Sequence, residues 1–245
     1  MKVIVTTLIL FFLLACEKEE DRSCFKTVGA DSSKEIAITA TRKLDLKSDI
    51  TYFIYYDTIE RVVVKGGKNL LNFVDVVQNG DQLTIENNNG CSFLRNYKDD
   101  ITVEIYVSNL KKIEFAGSKK LMSTQQLQLD SLTINAYDGS GVIDLNLQTS
   151  YLKLSSDFGY TDFIIRGQTN YLSCRLNGSS YANLYNCEIL DSITVVSDSQ
   201  RDILVKPNGV KLKAQLNQSG NVLYKGIPSS IFYMRFGKGE LINAN

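Results

Sequence analysis

Six aspartates in the second half of the chain are the residues best suited to chemistry. Glycoside cleavage needs two positioned carboxylates, or a carboxylate cluster that binds calcium beside a basic residue. These aspartates do not recur at one position of a repeat, and four lie beside turns, where Asp is expected for backbone reasons. We therefore predict no catalytic residues and keep a polysaccharide-processing enzyme as the least favoured alternative. The six are Asp144, Asp157, Asp162, Asp191, Asp198 and Asp202.

The composition removes several other classes of function. The sequence has no histidine, which excludes histidine-based triads, imidazole bases and the commonest transition-metal ligand sets. Lys and Arg total 27, and Asp and Glu also total 27. Without a basic surplus the chain cannot neutralise many phosphates, so we expect no nucleic-acid partner. We also predict no cofactor.

Cys16 ends a segment typical of exported lipoproteins. Lys2 gives a positive start, residues 3–13 carry no charge, and Leu13-Leu14-Ala15-Cys16 resembles the bacterial lipobox. The apolar run is shorter than the roughly 20 residues that a membrane-spanning helix needs. We predict that residues 1–15 are a signal peptide and that Cys16 carries acyl chains such as palmitate, which hold the protein at a membrane.

Residues 16–33 are predicted to be a flexible acidic tether. The cluster Glu17-Lys18-Glu19-Glu20-Asp21 resembles the signal that sends lipoproteins of certain Gram-negative bacteria to the outer face of the outer membrane. A solvated charge run is the plainer alternative. We predict an outer-membrane lipoprotein exposed at the cell surface, with a periplasm-facing domain as the alternative.

The remaining four cysteines belong to a disulfide-permissive compartment. Cys24 and Cys91 are candidate partners for a disulfide that would tie the tether to the body. Cys174 lies in phase with apolar core positions, and a bond to Cys187 would have to cross the core. No Cys-x-x-Cys spacing occurs, so we predict no metal site.

Tyr151 and Tyr171 are the candidate binding residues. They belong to a repeated word, Gln148-Thr149-Ser150-Tyr151-Leu152 and Gln168-Thr169-Asn170-Tyr171-Leu172. Both tyrosines have an outward phase, so on adjacent strands they would lie about 4.8 Å apart. The pair suits contact with a glycan or with a host or envelope protein. The alternative is a ladder of like side chains that only stabilises the fold.

These residues must be positioned by a repeat of about 20 residues. Leu132, Leu152, Leu172, Ile193 and Leu212 share one phase, with a second apolar position two residues after each. A turn rich in Gly, Asn, Asp and Ser and a second short strand follow in every unit, and the Gln-Thr pair falls in a connector between coils. The pattern predicts an all-β, single-stranded parallel β-helix, in preference to a leucine-rich repeat, a sandwich or a barrel.

The β-helix domain is predicted to span residues 34–245. Ile113 precedes Leu132 by one repeat length, so regular coils should begin near 113 and run to 225, after irregular coils or a cap in 34–112. Second strands are expected at Val142-Ile143, Leu184-Tyr185 and equivalent positions. Residues 226–245 are predicted to be a C-terminal cap, although the aromatic segment 231–236 could instead be a docking strand.

Short motifs give the chain a family resemblance. They include Asn69-Leu70-Leu71 after two glycines, Asn79-Gly80-Asp81-Gln82-Leu83-Thr84-Ile85, Asn88-Asn89-Gly90-Cys91 and the closing Gly226-Ile227-Pro228. In these motifs the chain resembles the putative auto-transporter adhesin, head GIN domain family. The resemblance implies a right-handed β-helix on a cell-envelope lipoprotein, an adhesive role and no catalytic residues. We therefore predict a non-catalytic adhesin or ligand-binding protein, with envelope scaffolding as the alternative.

Overall fold

The computed structural model describes residues 27–89 and 100–245. Cys16, Cys24 and Cys91, with the predictions made for them, lie outside these residues. The described chain forms twenty strands and one 3₁₀ turn, Leu71–Phe73. The strands are β1 Asp31–Ala37, β2 Lys43–Ser48, β3 Thr51–Tyr56, β4 Arg61–Gly67, β5 Val74–Asn79, β6 Gln82–Asn87, β7 Thr102–Val107, β8 Lys112–Gly117, β9 Lys120–Met122, β10 Leu127–Gln128, β11 Ser131–Ala136, β12 Val142–Ser156, β13 Asp162–Gly178, β14 Tyr181–Asn183, β15 Cys187–Ser199, β16 Ile203–Val205, β17 Lys211–Leu216, β18 Val222–Tyr224, β19 Ser230–Arg235 and β20 Leu241–Asn243.

The strands stack as a parallel β-solenoid of about 7 turns, with equivalent residues about 20 positions apart. This confirms the predicted all-β solenoid. Two long faces run the length of the stack. The first face has the order β5-β6-β2-β8-β11-β12-β13-β15-β17-β19, and the second has β1-β4-β7-β3-β9-β12-β13-β14-β16-β18-β20.

A shorter third face replaces the predicted connector between coils. Gln148 pairs with Gln128 and with Gln168 inside the strands β10, β12 and β13. The strands β12 and β13 are therefore continuous across all three faces, and the Gln-Thr pair lies within a strand. Its threonines point inward, where Thr149 Oγ1 donates a hydrogen bond to Thr169 Oγ1 at 2.9 Å.

The core consists of rows of aliphatic side chains that run along the stack. In β11 every second residue is buried, as expected for a strand with one face in the core. Leu132 pairs with Leu152, Leu152 with Leu172, Leu172 with Ile193 and Ile193 with Leu212. The predicted row is confirmed, and it places Tyr151 and Tyr171 on the outer surface of the first face.

One predicted register and one predicted strand position were wrong. Ile113 pairs with Ile134, which lies two positions beyond the expected partner Leu132. The in–out phase is kept because a slip of two positions is one full strand period. The second strand of one coil is β14, Tyr181–Asn183, and the predicted Leu184-Tyr185 lies just beyond it, with Tyr185 in a turn.

The N-terminal coils do not follow chain order. The coil of β2 and β3 lies between the coil of β6 and β7 and the coil of β8 and β9, although it comes first in the sequence. Antiparallel strands close this end of the stack, because β4 pairs with β7, β1 with β4, and β5 with β6. We call this the capped end.

The opposite end consists of residues 226–245, for which a cap was predicted. Here β19 pairs in parallel with β17 and β20 pairs in parallel with β18, so both strands continue the two long faces. Within the described residues no further strand pairs with either of them. Residues 27–89 and 100–245 contain no helix that could span a membrane.

Candidate ligand-binding face

The two predicted binding tyrosines lie side by side on the first face. Tyr151 and Tyr171 are directly paired in the parallel register of β12 and β13. Their exposed fractions are 43% and 45%, so each presents nearly half of its side chain to solvent. An exposed aromatic pair offers apolar surface together with hydroxyl groups, as many ligand contacts require. We call these residues the tyrosine pair.

A bulge in β15 lies beside one of the two tyrosines. Thr169 pairs with Ile189 but Tyr171 pairs with Ser192, so β15 has an extra residue at this point. The bulge brings Asp191 to Tyr171, whose hydroxyl hydrogen-bonds to this carboxylate and whose pKa is raised as a result. The hydroxyl of Tyr171 is therefore protonated at neutral pH and lies beside the Asp191 carboxylate.

A polar groove of about 420 Å³ lies next to the tyrosine pair on the same face. Lys153, two residues after Tyr151, is one of its walls, and Arg175 is another. Each lining residue has a hydroxyl, amide or charged side chain, which suits a ligand rich in hydroxyl groups. The lining residues are Lys112, Thr133, Asn135, Lys153, Ser155, Ser156, Asp157, Arg175 and Asn177.

The charged side chains of this polar groove differ in whether they have an ion-pair partner. Lys112 forms an ion pair with Glu114, and Arg175 Nε lies 3.3 Å from Asp198 Oδ2. Lys153, between Thr133 and Ser173 on the neighbouring strands, has no ion-pair partner among the described residues. Its ammonium group is therefore free to contact an anionic or hydroxyl group of a ligand.

The six aspartates considered for catalysis have separate local partners. Asp144 lies 2.7 Å from the guanidinium of Arg166, and Asp162 pairs with Arg201. Three others contact neighbouring side chains, Asp157 with Asn135, Asp198 with Asn217 and Asp202 with Asn221. Asp191 holds Tyr171. Across residues 27–89 and 100–245 no group of three metal-ligating side chains occurs.

Cys174 and Cys187 are free thiols buried in the core. Burial raises the pKa of both thiols to about 12, with the Glu188 carboxylate adding to the effect at Cys187. Neither thiol is therefore ionised near neutral pH, and neither is suited to act as a nucleophile.

An aromatic cluster on the second face was not predicted. Tyr55 and Tyr106 stack with ring centroids 4.9 Å apart, and the guanidinium of Arg61 lies 3.8 Å above Tyr106. The hydroxyl of Tyr106 donates to Glu104, which also pairs with Lys65. The rings and charges thus contact one another, as in a ladder that joins β3, β4 and β7. Because β3 and β7 are separated in the sequence by far more than one repeat, no periodicity signalled this pairing.

Comparison with known proteins places the chain in a family. The family model for the putative auto-transporter adhesin, head GIN domain, matches residues 36–228. The chain belongs to this family. No curated protein matches the sequence.

Solved structures similar to this head GIN domain chain share its fold. A putative adhesin from Bacteroides fragilis NCTC 9343 has a TM-score of 0.79 at 19% identity, over 87% of this chain and 97% of that one. A putative lipid binding protein from Parabacteroides distasonis ATCC 8503 has a TM-score of 0.63 at 18% identity, over 88% and 98% of the two chains. A putative adhesin from the same organism has a TM-score of 0.58 at 19% identity, over 87% and 96%.

Proposed function

We propose that this protein is a non-catalytic cell-envelope lipoprotein that acts as an adhesin through the outer surface of the first face. The observation that carries the proposal is the tyrosine pair, set in register on adjacent coils and flanked by the polar groove. A flat solenoid face presents such a site to large ligands without enclosing them. Membership of the adhesin family supports the same role.

The chemistry of the site favours a glycan as the ligand. Tyrosine rings can pack against the apolar C–H surface of a sugar ring, while Asn135, Ser155 and Asn177 can bond to its hydroxyls. Lys153 adds a cation without an ion-pair partner among the described residues, which favours sugars that carry carboxylate or sulfate groups. We therefore expect acidic glycans to bind more tightly than neutral ones.

A binding array tests this proposal directly. Residues 22–245 are applied to an array of neutral glycans, acidic glycans and matrix proteins, and bound protein is measured. We expect specific binding to a group of acidic glycans, weakened by salt because the contact includes a charge. An array without specific binding would overturn the proposed ligand class and favour scaffolding within the envelope.

Anchoring at the outer membrane is the second part of the proposal. It rests on the lipobox ending at Cys16 and on the acidic cluster 17–21. Protease added to intact cells should remove the solenoid, and a Cys16→Ser variant should no longer fractionate with membranes. Full protection of the solenoid in intact cells, with digestion only after permeabilisation, would favour a periplasm-facing domain.

A further inference from the structure

The two ends of the solenoid differ in how their strand edges are protected. At the capped end, the outermost strand β1 carries Asp31, Lys34 and Glu35, and the outermost strand β5 carries Asp75 near its start. Charged side chains on an edge strand discourage pairing with another chain. At the opposite end β19 has the sequence Ser-Ile-Phe-Tyr-Met-Arg, and its only charge is at its last residue. We call this the open end.

The open end exposes apolar side chains that belong to core and surface rows. Ile231 and Tyr233 continue the core rows of Leu212 and Ala214, yet 45% and 39% of their side chains are exposed because no coil of the described chain covers them. Phe232 is also largely exposed. A long apolar edge strand with exposed aromatic residues is typical of an interaction site.

The described chain begins at the end of the stack opposite to the open end. Thr27 lies at the capped end, where its carbonyl accepts a hydrogen bond from Asn69. Nine strand spacings of about 4.8 Å separate the first and last strands of the first face, so the open end lies about 43 Å from the capped end.

We infer that the open end is a self-association surface, at which β19 of two copies pairs antiparallel about a two-fold axis. An edge strand is always complementary to itself in this geometry. With the axis near Phe232 and Tyr233, these aromatic residues of the two copies become cross-strand neighbours. Arg235 meets an uncharged residue of the partner copy, and its charge is already balanced by Glu240 at 3.1 Å. The inference does not depend on the proposed ligand-binding face.

Light scattering with charged variants tests the inference on the chain from residue 17 to 245. At about 100 µM, where even a micromolar Kd leaves most copies paired, we expect twice the monomer mass. The Tyr233→Glu variant should be monomeric, because two carboxylates would meet near the axis. A Tyr160→Glu variant, changed at an exposed tyrosine far from β19, should remain dimeric.

A mixing experiment separates edge pairing from a loss of folding. Tyr233→Glu and Tyr233→Lys variants should each be monomeric, and their equimolar mixture should recover the dimer mass because opposite charges then meet at the axis. A monomeric wild-type chain, a dimer that persists in the Tyr233→Glu variant, or a mixture that stays monomeric would each overturn the inference. Failure here would leave glycan binding by residues 22–245 unaffected.

Discussion

The inward threonines of the repeated word form a short hydrogen-bond chain in the core. Thr149 donates to Thr169, and Thr169 donates to the Tyr171 carbonyl at 3.1 Å. Both hydroxyls are thus satisfied without water, and the second bond ties the core side of β13 to the residue that carries the exposed ring. Threonine at these two positions supports the tyrosine pair from inside the solenoid.

The hydrogen bonds of Thr149 and Thr169 predict that two similar substitutions have unequal effects on stability. Thr169→Val leaves the buried Thr149 hydroxyl without an acceptor and should lower the free energy of unfolding by about 1–3 kcal/mol. Thr149→Val should lower the free energy of unfolding by less, because Thr169 keeps its hydrogen bond to the Tyr171 carbonyl. Urea unfolding of both variants and of the double variant measures this. Equal costs for the two single variants would contradict the direction of donation.

The buried thiols predict a loss of stability at alkaline pH. The pKa of each thiol is about 12 in the folded protein and 9.0 in an unfolded chain. The contribution of the buried thiols to the free energy of unfolding is therefore complete below pH 9 and is lost as the pH rises toward 12. Ionisation of each thiol in the unfolded chain should lower the free energy of unfolding by about 1.4 kcal/mol per pH unit between pH 9 and pH 12. Urea unfolding at pH 8 and pH 10.5 should show a smaller loss in a Cys174→Ala, Cys187→Ala variant than in the wild type.

At the scale of the strand, the third face depends on close approach between coils. Gly167 has φ +100° and opens the third-face part of β13 beside Leu147. A Cβ at this position would lie 2.0 Å from the Leu147 carbonyl oxygen. Both the backbone angle and the contact therefore require glycine.

Gly167→Ala should be among the more damaging single changes in the solenoid. We expect the free energy of unfolding to fall by about 2 kcal/mol or more, because the backbone is strained and the neighbouring strand is displaced. Gly80→Ala is the matched control, because Gly80 also has a positive φ of 62° but no atom within 4 Å of an added Cβ. Thermal unfolding compares the two variants, and similar Tm values would argue against close packing at the third face.

The sequence predicted the elements in which the repeat is regular and missed those in which it is interrupted. The row from Leu132 to Leu212 could be found because each member follows the previous one by about one repeat length. The coil of β2 and β3 could not be placed, since Leu44 pairs with Leu83 and Ile113, which lie about two and more than three repeat lengths further along the chain. Long-range partners of this kind leave no local period. The Asp191 contact to Tyr171 was missed because it depends on a bulge.

At the scale of the whole molecule, the first described residue, Thr27, and the open end lie at opposite ends of the stack. A lipid anchor on Cys16 would hold the capped end toward the membrane and direct the open end away from it. The tyrosine pair, on the side of the stack, would remain accessible in that orientation. If both proposals hold, copies anchored in facing membranes can meet end to end while their first faces bind ligand.

The tyrosine pair is the proposed binding site for the adhesion ligand. The direct test is a titration of the best ligand from the array against wild type, a Tyr151→Ser, Tyr171→Ser double variant, and Tyr160→Ser, a control that removes another exposed ring. We expect the double variant to lose at least about tenfold in affinity, or about 1.4 kcal/mol, with an unchanged Tm, and the control to bind as wild type does. Equal affinity of the double variant and the wild type would contradict the claim.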